Sequence, residues 1–158
     1  MKILRTPDEC FDNLEDYPFE PNYIDIEHND QTLRMHFLDE NSESEEIVLL
    51  MHGEPTWSYL YRKIIPILVF NGKRVIAPDL IGFGKSDKPS AREDYSYANH
   101  IMWVETLIKK LDLKNIIFFA QDWGGLIGLR LLAKYPDLYE GLVAVSYTHL
   151  TLPTRFSV

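Results

Sequence analysis

Five consecutive apolar residues, Ile47-Val48-Leu49-Leu50-Met51, run directly into His52-Gly53. A strand with one wet face alternates apolar and polar side chains, so an unbroken apolar run of strand length is expected to be buried on both faces. Both faces then need helices to cover them. The downstream sequence has that rhythm. Tyr59–Phe70 has a largely apolar pattern of helix length, which Pro66 is expected to bend or shorten and Asn71-Gly72 to stop. Arg74–Pro78 reads as a strand, and Tyr97–Leu111 as a helix with Ile101, Val104, Ile108 and Leu111 on one stripe. Asn115–Ala120 reads as a strand, Gly124–Tyr135 as a helix and Gly141–Val145 as a strand. The expected fold class is α/β, an open and mainly parallel sheet flanked by helices. Upstream, Tyr23–Glu27 and Thr32–Phe37 predict a hairpin. The opening segment, with Pro7, Pro18 and Pro21, reads as an irregular arm, and the acidic run Asp39–Glu46 as a solvated loop.

Composition narrows the function classes. The 16 Lys+Arg against 24 Asp+Glu leave a net charge of −8, which argues against a nucleic-acid partner. No apolar run approaches the ~20 residues needed to span a bilayer, and the N-terminus lacks the apolar core of a signal peptide. The one cysteine, Cys10, cannot form an internal disulfide. A cytoplasmic protein without membrane contact is expected. No cluster of His, Cys or carboxylates has metal-ligand spacing, so no metal is expected.

The most informative stretch is Ile116-Ile117-Phe118-Phe119-Ala120-Gln121-Asp122-Trp123-Gly124-Gly125. A strand enters a helix through a turn in which small residues, Ala120 and Gly124, stand two positions either side of Asp122. That is the layout of a nucleophile elbow, G-x-S-x-G, with Ala for the first Gly and Asp for Ser. The competing reading is that Asp122 only caps the following helix, a role Asp favours. A carboxylate at an elbow can displace a leaving group from saturated carbon and form an ester. Water must then attack that ester, with help from a general base and an oxyanion hole. The Trp123 backbone N–H, directly after the nucleophile, is the expected first oxyanion donor. The second is expected from the loop after Ile47–Met51, where His52-Gly53-Glu54-Pro55 offers the Glu54 backbone N–H. His52 itself reads as a structural histidine. Gly84-Lys85-Ser86 looks like the end of a P-loop, but Asp79 stands where its first glycine belongs. Gly82-Phe83-Gly84 lacks the third glycine of a dinucleotide fingerprint, because position 87 is Asp. Residues 79–86 instead fit the D-x-x-G-x-G-x-S turn common in α/β-hydrolases.

Taken together, His52-Gly53-Glu54-Pro55-Thr56-Trp57-Ser58-Tyr59-Leu60-Tyr61-Arg62-Lys63, Arg74-Val75-Ile76-Ala77-Pro78-Asp79, residues 82–89 and Gln121-Asp122-Trp123-Gly124-Gly125 resemble the haloalkane dehalogenases. The motifs stand in family order, and the resemblance runs from about Pro7 to Val145. It implies an α/β-hydrolase fold, truncated before a helical cap domain, with residues 1–145 forming the N-terminal part of the core domain. It also implies hydrolysis of a small halogenated alkane to an alcohol and halide, without a cofactor, by a monomer. In that reading Asp122 is the nucleophile, the Trp123 indole N–H binds the departing halide, and the Glu54 and Trp123 backbone amides form the oxyanion hole. Family members with Asn in place of Glu54 use its amide as a second halide donor. An ionised Glu only accepts, so the resemblance places that donor, a Trp, in the cap. The base histidine and its carboxylate partner follow the cap in this subgroup. None of His28, His36, His52, His100 or His149 is therefore assigned as base.

Two other readings compete. An epoxide hydrolase shares the fold and the Asp nucleophile, but that family tends to show His where this chain has Gln121 and an aromatic or aliphatic residue at Glu54. A non-catalytic fragment or binding module is the second, because two members of a catalytic triad are missing. Residues 146–158, beginning Ser146-Tyr147-Thr148-His149-Leu150, resemble the translation of a transposon-derived sequencing-library adapter and are expected to be a non-native tail.

Overall fold

The computed structural model describes residues 1–145; the tail expected to be non-native lies outside the described residues. The strands are β1 (Ile3–Leu4), β2 (Asn22–His28), β3 (Gln31–Glu40), β4 (Ile47–Met51), β5 (Arg74–Pro78), β6 (Lys88–Pro89), β7 (Ile116–Gln121) and β8 (Tyr139–Val145). The helices are α1 (Ile65–Phe70), α2 (Tyr97–Lys110) and α3 (Trp123–Lys134). Six strands form one sheet in the order β2-β3-β5-β4-β7-β8. The β2–β3 and β3–β5 pairs are antiparallel, whereas β5–β4, β4–β7 and β7–β8 are parallel. The sheet is mainly parallel, as expected.

The unbroken run of β4 is buried at every position. Strand pleating sends Ile47, Leu49 and Met51 into a core shared with α2 and α3, and Val48 and Leu50 into a second core beneath α1. β7 follows the same rule, with Ile116, Phe118 and Ala120 facing the first core.

Several boundaries differ from the sequence expectation. Tyr59–Phe70 is not one helix: a 3-10 turn at Ser58–Tyr61 precedes α1, and Pro66 sits in the first turn of α1, where its missing N–H costs nothing. On α2 the buried face is Trp103, Val104, Leu107 and Ile108, whereas Ile101 and Leu111 are only partly buried. The stripe rotates because Trp103 fills the space between α2 and the end of β2, its ring edge-on to His28. β3 extends through Glu40 into the expected acidic loop, drawn there by the bidentate pair of Asp39 with Arg74 of β5 at 2.8 and 2.7 Å. The arm is tied down as well. β1 pairs with β6, and Arg5 grips the buried Asp87 at 2.7 and 2.9 Å.

Candidate active site

β4 and β7 are parallel neighbours in register, Met51 beside Ala120, so the loops leaving their C-terminal ends meet above the sheet. One loop carries His52-Gly53-Glu54 and the other carries Asp122. Asp122 is the residue between β7 and α3, with φ 52° and ψ −127°, outside the regions that ordinary residues favour. Such a conformation costs about 1–3 kcal/mol and persists only where the surrounding structure holds it. Asp122 occupies the N-cap position of α3 but makes no side-chain cap hydrogen bond. Helix capping therefore does not explain this carboxylate.

Close packing dictates its neighbours. A Cβ at Gly53 would collide with the Asp122 side chain, and a Cβ at Gly124 would collide with the carbonyl oxygens of Met51 and His52. Only glycines let the two loops approach this closely. The approach brings the Glu54 backbone N–H to 3.1 Å from Asp122 Oδ1. Among the described residues this is the hydrogen bond the Asp122 carboxylate receives from the protein; the Trp123 backbone N–H makes none to it. The Trp123 side chain is 42% exposed and lies beside Tyr97, ring centroids 6.5 Å apart. Glu54 and Trp123 line one cavity of about 550 Å³, together with Leu80, Phe83, Tyr95 and His100.

The loop after β5 closes the other side. Asp79 is fully buried, and its carboxylate accepts from the Ser58 N–H, the Lys85 N–H and His36 Nδ1, each at 2.8 Å. Burial pushes that carboxyl up, but the His36 hydrogen bond and charge with the Lys85 N–H outweigh it and hold it below the usual carboxylate range. Position 85, the decoy lysine of the P-loop pattern, thus donates its backbone to Asp79 rather than cradling a phosphate. His52 is fully buried; its Nε2 accepts from the Leu80 N–H at 2.8 Å, so Nδ1 carries the proton that it donates to Gly53 O at 2.9 Å. Burial lowers its pKa, and the imidazole is neutral.

Among the described residues no histidine bonds Asp122. His28 contacts the Asn29 side chain, His36 and His52 are engaged as above, and His100 lines the cavity without an orienting partner. Burial drives His100 down to about 4, which makes it a weak proton acceptor. Sequence reasoning gave His36, Asp79, Thr56 and His100 no role in the site, although it set aside both histidines as bases and placed Asp79 at the head of a turn. The D-x-x-G-x-G-x-S turn was the signal for Asp79; its partners come from distant segments that no local pattern indicates. No group of three or more His, Cys, Asp or Glu among the described residues could hold a metal ion, and no described helix is long and apolar enough to cross a membrane.

A doubly covered parallel sheet, a strained residue between strand and helix, and a glycine-lined loop facing it define an α/β-hydrolase core. The chain belongs to the alpha/beta hydrolase fold family, whose model matches residues 46–156. Within that family its similarity is to haloalkane dehalogenases. It is 57% identical over 145 residues to the haloalkane dehalogenase of Psychrobacter cryohalolentis, covering 91% of this chain and 48% of that protein. The tetrameric haloalkane dehalogenase DpaA of Paraglaciecola agarilytica superposes with a TM-score of 0.85 at 47% identity, over 90% of this chain and 48% of that one. An epoxide hydrolase of Vigna radiata is more distant, with a TM-score of 0.69 at 30% identity over 80% of this chain and 39% of that one. The chain spans about half the length of the relatives it matches.

Proposed function

We propose that the full-length protein hydrolyses carbon–halogen bonds of small haloalkanes, with Asp122 as nucleophile. The observation that carries this reading is the Glu54 N–H aimed at Asp122 Oδ1 at 3.1 Å, on a strained residue that caps nothing. A carboxylate oxygen of Asp122 attacks the halogen-bearing carbon; the carbon–halogen bond breaks and halide leaves with the electron pair. Trp123 offers its indole N–H, a donor without an acceptor, to that halide in a largely apolar cavity. Water then attacks the Asp122 carbonyl carbon and gives its proton to a base. Charge develops on the Asp122 oxygen that the Glu54 N–H, joined by that of Trp123, stabilises. Collapse breaks the bond from the Asp122 carbonyl carbon to the alkyl-bearing oxygen; the protonated base returns its proton to that oxygen, the alcohol departs, and Asp122 ionises back to the carboxylate with net release of one proton. The base, its carboxylate partner and a second halide donor are supplied by the half of the relatives' length that this chain does not span, and residues 1–145 are the N-terminal part of the core. Substrate and water are the only partners required, and no cofactor enters.

Bromide release from 1,2-dibromoethane by the full-length protein tests the reading. Asp122→Ala is expected to abolish it. Release surviving that change, or turnover of styrene oxide with none of the dihaloalkane, would favour direct water attack or an epoxide hydrolase respectively.

A further inference from the structure

The peptide group joining Gly53 to Glu54 is held at both ends. Its N–H points at Asp122 Oδ1. Its carbonyl, Gly53 O, accepts from the Thr56 backbone N–H at 2.9 Å, the Thr56 hydroxyl at 2.8 Å and His52 Nδ1 at 2.9 Å. A peptide unit is planar, and in the trans form its C=O and N–H point in opposite directions. Pinning the oxygen therefore aims the hydrogen. The donors also form a relay: Leu80 N–H to His52 Nε2, His52 Nδ1–H to Gly53 O, and Glu54 N–H to Asp122. Each bond polarises the next, strengthening the last donor.

Resting on the dehalogenase reading above, we propose that Thr56 is a positioning residue for the ester-hydrolysis step, acting through its hydroxyl on the Gly53 carbonyl to aim the oxyanion amide. The nucleophile step has no such need. As Asp122 becomes an ester it loses charge, and the Glu54 N–H is then worth less, not more. The requirement for alignment appears when water adds and charge returns to the same oxygen. Thr56 touches neither substrate nor the reacting atoms. Its side chain is only partly buried, so removing the hydroxyl leaves the core intact.

The test is rapid-quench mass spectrometry of the full-length protein with 1,2-dibromoethane, following the alkyl adduct on Asp122. In Thr56→Val the adduct should form at the parent rate but decay about 3- to 10-fold more slowly, the factor one neutral hydrogen bond supports. Where that decay limits turnover, kcat and KM fall together and kcat/KM holds. Thr56→Ser keeps the hydroxyl and should show parent decay, whereas Thr56→Ala removes it without the valine branch and should decay as slowly as Thr56→Val, which decides the matter if the valine variant does not fold. Slow decay in Thr56→Ser, or unchanged decay in Thr56→Val, would overturn the role of Thr56 while leaving the dehalogenase reading intact. A parent protein that forms no adduct would overturn that reading, and this role with it.

Discussion

Trp123 stands at the junction of packing and chemistry. Its side chain is exposed to the cavity because the residue before it is forced into a left-handed conformation at the top of the sheet. Trp123→Phe keeps most of the ring area and removes the one donor. In the full-length protein, bromide should change tryptophan fluorescence saturably, and this substitution should weaken bromide binding roughly 10- to 150-fold, the ~1.5–3 kcal/mol of a hydrogen bond to an ion. Unchanged affinity would leave Trp123 as pocket wall. At this scale the sequence showed which residues flank the elbow, because small residues around a strand–helix junction have a local steric cause. It did not show the pairing of His36 with Asp79, 43 positions away, or Arg5 with Asp87, 82 positions away. Those contacts exist only once β3 lies antiparallel beside β5 and the arm folds over the loop, and no short-range pattern encodes either.

Between elements, Glu105 clips the C-terminal end of α2 to the end of α3. It accepts from Lys109, from Lys134 at 2.7 Å and from the Tyr135 hydroxyl at 2.6 Å. Burial pushes this carboxyl up, but the Lys109, Lys134 and Tyr135 hydrogen bonds outweigh it and bring it down to about 2. The folded carboxyl is thus a stronger acid than the unfolded one. Its contribution to stability is fully present above the ordinary glutamate range and is lost as pH falls from there through about 2. Urea-unfolding midpoints of the full-length protein and Glu105→Gln should therefore differ at pH 7 and converge toward pH 2. A difference that persists unchanged to low pH would assign the effect to packing. Element type was legible wherever apolar periodicity was strong, as in β4, β7 and α3. At Tyr59–Phe70 the expected shortening by Pro66 is seen, but not the separate 3-10 turn before it, and on α2 the bulk of Trp103 overrode the simple stripe.

Across the whole molecule, β8 is the last strand of the described sheet and pairs on one side only, with β7. Leu142 and Val143 on it are each 45% exposed, and on α1, which packs against β5, Ile67 and Phe70 are 61% and 91% exposed. An open ladder beside apolar side chains is a template for self-association. At ~25 cal/mol per Å2, ~400 Å2 of such surface left wet forfeits ~10 kcal/mol, against a typical domain stability of ~5–15 kcal/mol. The 158-residue chain expressed alone is expected to self-associate in light scattering and bind a hydrophobic dye, whereas a monomer with a sharp cooperative melt would show that these faces tolerate water. The α/β class was readable because continuous apolar strands leave few alternatives; the antiparallel β2–β3–β5 flank was only half visible, since a hairpin pattern does not say which strand it joins. The covalent role of Asp122 is tested most directly by a single turnover of 1,2-dibromoethane by the full-length protein in 18O-labelled water. The ester route predicts unlabelled alcohol and one 18O in the peptide containing Asp122, because water attacks the carbonyl carbon and the alcohol keeps the original Asp122 oxygen. Label in the alcohol with none in that peptide would contradict it.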